Sequence, residues 1–192
     1  MTSAPASPAS PSPASLPAIR PAVPDDLPAI LALYNDVIAT STAVYALEPA
    51  TLADRRAWYD ARVAGGYPVL IAEVDGAFAG FASFGEFRGA WPGYRHTVEH
   101  SVHVVATQRG RGIGSMLVAA LFPLARAQGK HVMVGGIDAA NAGSLRMHER
   151  LGFERVAHFR EVGRKFGRWL DLVFVQRHLD APSGTATDPH VR

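Results

Sequence analysis

One stretch constrains this chain more than any other. The β-branched segment Thr97 to Val105 runs into Gln108-Arg109-Gly110-Arg111-Gly112-Ile113-Gly114, and then into the helical composition of Met116 to Ala127, which Gly129 closes. The order is strand, glycine loop, helix. Without Cβ atoms such a loop lets main-chain N–H groups come close to an anion, and the helix N-terminus adds partial positive charge. Arg109 and Arg111 add mobile countercharge. A tight strand-to-helix turn that binds nothing is the alternative for the same residues. A Walker loop needs Gly-Lys followed by Ser or Thr, whereas here Ser115 follows Gly114 with no Lys. A dinucleotide fold carries its glycine loop on the first strand of a parallel unit, whereas this loop follows the fourth expected strand. A pyrophosphate-bearing coenzyme bound in another manner fits better.

Around that unit the chain reads as one folded domain. Residues 1–17 are almost entirely Ala, Pro and Ser, a composition that cannot bury enough apolar surface to offset its ordering entropy. Residues 181–192 are similarly biased, so the folded unit is expected over residues 18–180. Ile19 to Val23 reads as a strand, and Asp26 as the N-cap of a helix carrying Leu27, Ile30, Leu31 and Tyr34. Thr51 and Asp54 form a capping box for a second helix that stops at Gly65-Gly66. Val69 to Val74 and Phe78 to Phe84 flank Asp75-Gly76, which is hairpin turn chemistry. After the glycine loop and its helix come a strand at His131 to Ile137, a helix at Asn141 to Leu151, and strands at Phe153 to Val162 and Trp169 to His178.

Several function classes drop out. With no cysteine there is no disulfide scaffold, thiolate metal site or Cys nucleophile. A formal net charge of +2 with no dense Lys/Arg block gives no nucleic-acid footprint. No apolar run is long enough to span a bilayer, and no signal-peptide pattern is present, so a cytoplasmic protein is expected. His96, His100 and His103 invite a metal, but strand alternation turns His103 away from the other two, so no metal is expected.

The motif Arg109, Gly112, Gly114 matches the Arg/Gln-x-x-Gly-x-Gly/Ala pattern of the Gcn5-related N-acetyltransferases, which the chain resembles over about Ile19 to Leu179. The block Asn141-Ala142-Gly143-Ser144-Leu145-Arg146-Met147-His148-Glu149-Arg150-Leu151-Gly152-Phe153 is similar to that fold's Asn, helix, Gly-Phe segment. Within the fold, Trp91 to Val102 and Lys165-Phe166-Gly167-Arg168-Trp169-Leu170-Asp171 look like the phosphinothricin and methionine sulfoximine acetyltransferases. The resemblance implies a mixed α/β fold whose largely antiparallel sheet is splayed between the strands containing Val102 and Val134. It also implies acetyl-CoA as cosubstrate, a small amine acceptor and a homodimer. Val102, His103 and Val104 would pair with the pantetheine through main chain, Arg109 and Gly110, Arg111, Gly112, Ile113, Gly114, Ser115 would hold the pyrophosphate, and Asn141 would also touch the coenzyme. Arg88, Gly89, Ala90, Glu99, His100 and Ser101 would line the acceptor site. Arg88, Arg95 or Lys165 would meet an acceptor carboxylate, with Arg88 the leading candidate and Lys165 a further acceptor contact.

Two residues are candidates for proton transfer. Attack on a thioester requires a neutral amine and a proton acceptor within reach, directly or through water. Alternation places Glu99, Ser101 and His103 on one face of the strand and His100, Val102 and Val104 on the other, so Glu99 is the expected base. A structural ion pair is its alternative. His148 stands two helical turns beyond Asn141, where many members of the broad fold carry a Tyr acid; it is the candidate acid, with an ordinary hydrogen-bonded helix histidine as the alternative. Acetylation of a protein N-terminus or lysine, or coenzyme sensing without turnover, are competing functions. Trp91-Pro92-Gly93-Tyr94 looks bulky enough to close over a small acceptor.

Overall fold

A computed structural model describes residues 17–89 and 91–179. The expected tails, apart from Pro17, and the acceptor candidate Ala90 lie outside the described residues. The elements run β1 (Ala18–Pro21), α1 (Leu27–Thr40), α2 (Leu52–Ala64), β2 (Val69–Val74), β3 (Ala77–Glu86), β4 (Thr97–Val104), α3 (Ile113–Ala127), β5 (Val132–Asp138), α4 (Ala142–Arg150), β6 (Glu154–Lys165) and β7 (Arg168–His178). The strands form one sheet in the order β1-β2-β3-β4-β5-β7-β6. Every neighbouring pair is antiparallel except β4 and β5. Among the described residues no helix is long and apolar enough to cross a membrane.

Local chemistry explains most boundaries. Thr51 Oγ1 accepts from the Asp54 amide at 3.2 Å while the Asp54 carboxylate accepts from the Thr51 amide at 2.8 Å, which starts α2. Asp75 and Gly76 both adopt positive φ, the requirement of the tight turn between β2 and β3. Asp26 departs from its expected role, since its carboxylate makes no cap bond to α1. It is held instead by both terminal nitrogens of Arg20, each at 2.7 Å. A bidentate charge-assisted pair outcompetes a single amide. The same guanidinium bonds Glu73 and ties β1 to β2.

The sheet has a core on each face. Val98, Phe84, Leu117, Leu121, Met133 and Val175 pack with α3 and α4 on one side, and Ile71 and Phe81 pack with Leu27, Ile30 and Val37 of α1 on the other. Fully burying such a side chain contributes about 1.5–3 kcal/mol. The two cores fix the helices on opposite sides of the sheet, and the cleft described next runs between them.

Candidate active site

The cleft begins where β4 and β5 part. These parallel strands pair only through Thr97–Glu99 and Val132–Val134, while β4 continues to Val104 and β5 to Asp138. Both remain paired on their outer sides, β4 with β3 and β5 with β7. Beyond Glu99 the inner edge of β4 therefore has no strand partner among the described residues, and Val102, His103 and Val104 border a cavity of about 790 Å³.

The glycine loop forms one end of that cavity. Gly110 and Gly112 have φ of +77° and +79°, a conformation that costs other L-residues roughly 1–2 kcal/mol. Left-handed Gly112 is the N-cap that lets α3 begin at Ile113, three residues before the helical composition is evident. The Met116 amide already bonds Gly112 O, which leaves the amides of Ile113, Gly114 and Ser115 as the unpaired donors of the first turn. All three residues line the cavity together with Arg109 and Gly110. A β-carbon on Gly114 would lie 3.0 Å from Met147 Sδ, so a glycine there lets α3 and α4 approach each other. Arg109 donates from Nε to Val104 O at 3.1 Å, which fixes the loop to β4. Arg111, grouped with the cradle from sequence, bonds the Gln108 side chain and is absent from the lining. Asn141 lines the cavity and caps α4, accepting from the Ser144 amide at 3.0 Å.

Deeper in the splay, a second cavity of about 100 Å³ is lined by His100, Ser101, Val102, Gly136, Asp138 and His148, among others. The rings of His100 and His148 stack with centroids 5.0 Å apart and planes 3° from parallel. Burial pushes His100 down to about 3, with His148 adding to the effect, and burial also lowers His148. His148 Nδ1 lies 2.8 Å from the Ser144 carbonyl oxygen, which can only accept, so Nδ1 carries the hydrogen. Its Nε2 has no partner among the described residues. Burial thus favours neutral His148, with its Nδ1 proton donated to a carbonyl and the Nε2 lone pair toward the cavity. The candidate acid His148 keeps its one ring proton on Nδ1, bonded to the Ser144 carbonyl.

Glu99 lies on the opposite face, in register with Gly85 of β3 and Val134 of β5. It is half-buried, and burial raises its carboxyl above the ordinary range while Arg62 works against that rise. A base with its ionised form partly desolvated is tuned toward proton uptake. Arg62 was not singled out from sequence. Its guanidinium lies on Gly85, where a β-carbon would fall 1.6 Å from Nη1. Spacing held a clue, because Arg55, Trp58 and Arg62 share one face of α2. His103 turns to the same side as Glu99, 5.1 Å from the Phe81 ring and 6.0 Å from Tyr34. Burial, then Arg55 and Arg109, push it down to about 4.

The remaining acceptor candidates are scattered. Arg88 is exposed, at φ +51°, with its guanidinium 5.5 Å from the Tyr94 ring centre. Gly89 packs against Glu86, whose Oε2 is 2.0 Å from where a β-carbon would stand. Lys165 differs from its expected role: it is buried, and its ammonium donates to Ser41 O at 2.9 Å and Val44 O at 2.7 Å. It pins the segment after α1, whose Ser41, Thr42 and Ala43 line the main cavity. Met147, Arg150, Phe166 and Arg168 are further lining residues that sequence reasoning did not assign. Among the described residues no group of three His, Asp or Glu side chains could hold a metal.

A cleft with unpaired amides of α3 at one end and Gly136 at its narrow end, where a β-carbon would stand 3.6 Å from Glu99 Oε1, has the parts of a coenzyme-dependent group-transfer enzyme. The model of the acetyltransferase (GNAT) family matches residues 30–153, and the chain belongs to that family. It is 52% identical over 163 residues to an L-methionine sulfoximine/L-methionine sulfone acetyltransferase of Pseudomonas paraeruginosa, covering 84% of this chain and 94% of that one. A putative acetyltransferase from Salmonella typhimurium, solved with its cofactor acetyl-CoA, superposes with a TM-score of 0.84 at 44% identity, covering 91% of this chain and 100% of that chain. A phosphinothricin acetyltransferase from Sinorhizobium meliloti, in complex with acetyl-CoA, gives a TM-score of 0.84 at 34% identity and covers 90% and 92%.

Proposed function

We propose that this enzyme transfers the acetyl group of acetyl-CoA to the primary amine of a small amino-acid analogue such as methionine sulfoximine, methionine sulfone or phosphinothricin. The observation that carries the reading is the set of unpaired amides at Ile113, Gly114 and Ser115 at one end of a cavity that the open edge of β4 borders, with the half-buried Glu99 three residues before Val102 on the same strand. The cradle fits a pyrophosphate, because donors on a helix N-terminus meet an anion without a side chain intervening. The open edge of β4 at Val102, His103 and Val104 fits the amide groups of a pantetheine arm, and Asn141 stands across the cleft from it. The names of the relatives supply the acceptor class.

In this mechanism Glu99 takes a proton from the acceptor's ammonium, directly or through water, and the freed nitrogen forms a bond to the acetyl carbon as the carbon–sulfur bond breaks. The thioester supplies the activated acetyl group when bound. The sulfur departs as a thiolate, and because an alkyl thiol titrates at about 8.5 this anion can take up the second proton that the nitrogen sheds as the amide forms, so His148 need not donate. His148 and His100 exclude bulk water from the narrow end, and Ser101 borders the acceptor. No covalent enzyme intermediate is required.

The enzyme acts as a cytoplasmic homodimer in this account. Support comes from the β6–β7 hairpin, where Val156, Phe159, Val162, Phe166 and Trp169 are all about half exposed. An apolar face of that kind on an edge hairpin suits a self-complementary two-fold contact. Assaying CoA release with free amino-acid analogues, free lysine and peptides tests the acceptor class. Saturable turnover on methionine sulfone or phosphinothricin is expected. Turnover confined to peptides, or coenzyme binding with no turnover, overturns the proposal.

A further inference from the structure

Among the described residues, the cations near the base and the acceptor loop are seated in different ways. Arg55 lies over the rings of Tyr34 and Trp58, 4.0 and 5.0 Å from their centres. Lys165 is held by two carbonyls, and Arg88 is exposed over Tyr94. Arg62 is different. It reaches from α2 across the sheet and rests on Gly85, whose missing side chain leaves room for Nη1, Cζ and Nη2, all within 2.9 Å of where a β-carbon would stand. Gly85 is the register partner of Glu99. Cross-strand partners point to the same face, so the guanidinium occupies the face on which the Glu99 carboxylate stands. The Arg62 Nε is buried with no hydrogen-bond partner among the described residues. Glu99 and Arg62 act on each other through charge, with no hydrogen bond between them.

We propose that Arg62 recognises the carboxylate of the acceptor and so sets a preference for free α-amino acids over amines of the same shape; this rests on the small amino-acid acceptor proposed above. In an α-amino acid only the Cα separates the amine nitrogen from the carboxylate carbon, through bonds of about 1.46 and 1.52 Å. A substrate whose amine meets Glu99 therefore brings its carboxylate into the same few ångströms. Without a cation there, Glu99 would repel it. A guanidinium meets a carboxylate through two parallel N–H···O bonds, and the partially desolvated fork of Arg62 gains a partner only when such a substrate arrives. The glycine at 85 is explained at the same time, because any larger residue would lift the fork from the strand.

The test compares wild type, Arg62→Gln, Arg62→Lys and Gly85→Ala with L-methionine sulfone, its carboxamide and the corresponding decarboxylated amine. Arg62→Gln should raise KM for the acid about 10- to 100-fold, the range of a charged hydrogen-bonded contact. The KM for acetyl-CoA should not change, which also reports an intact fold. The preference of wild type for acid over carboxamide should vanish in Arg62→Gln and persist in part in Arg62→Lys. Gly85→Ala, which displaces the fork, should behave like Arg62→Gln. If Arg62→Gln keeps the acid-over-amide preference, the assignment of Arg62 is wrong while the acceptor class stands. If wild type itself acetylates none of the acids, the acceptor class fails and takes this assignment with it.

Discussion

Acidification should weaken this fold through its buried histidines, and the size of the effect can be worked out from two of them. His100 titrates at about 3 and His103 at about 4 in the native protein, against 6.5 for an unperturbed histidine. The unfolded chain therefore binds protons that the folded chain refuses, so the stabilisation is complete above about pH 6.5 and is lost as pH falls. Between about pH 7 and about pH 5 each ring removes about 2 kcal/mol, or about 4 kcal/mol for the pair. His148, also lowered by burial, acts in the same sense, and the raised Glu99 opposes them as one group against three. A loss of that size is a large share of the ~5–15 kcal/mol that stabilises a typical domain. Urea unfolding followed by tryptophan fluorescence at several pH values gives the slope, and His100→Leu should reduce the loss by about 2 kcal/mol. An equal pH slope in wild type and His100→Leu would refute the claim that this ring is held neutral by burial.

Three further outcomes are expected. Glu99→Gln should lower kcat by about 10²–10⁴, the usual contribution of a general base, with acetyl-CoA affinity by calorimetry unchanged; near-normal turnover would remove Glu99 from proton transfer. Gly114→Val, whose β-carbon would press on Met147 Sδ at 3.0 Å, should weaken acetyl-CoA binding more than about tenfold by disturbing the anion cradle, and unchanged affinity in a folded variant would count against the loop. Trp169→Asp should turn a dimer into a monomer by light scattering and reduce activity with it; a fully active monomeric wild type would end the dimer proposal.

Signals confined to neighbouring residues were readable in the chain. The Thr51–Asp54 box and the Asp75-Gly76 turn lie where local chemistry puts them, and strand alternation correctly separated Glu99 from His100. Other features depend on partners far away in sequence. Asp26 forgoes its cap because Arg20, which also pairs with Glu73 of β2, holds its carboxylate. Gly163 lies within β6 under the Tyr45 ring, a contact across most of the chain, and the turn to β7 is Phe166-Gly167. The stacking of His100 on His148 requires β4 and α4 to meet, and the seat of Arg62 on Gly85 requires α2 to cross β3. Neither leaves a local pattern. Lys165 was assigned to the acceptor from resemblance, but only the fold shows two carbonyls enclosing its ammonium.

Direct acetyl transfer to an amino-acid amine is the central claim, and one measurement bears on it without intermediaries. Acetyl-CoA carrying ¹³C in its acetyl carbonyl is mixed with L-methionine sulfone and the enzyme, and the carbonyl resonance is followed in time. Loss of the thioester signal should be matched by an amide signal on the acceptor nitrogen, at a rate that saturates in both substrates and falls sharply in Glu99→Gln. A thioester signal that persists, or label that appears only as free acetate, would contradict the account.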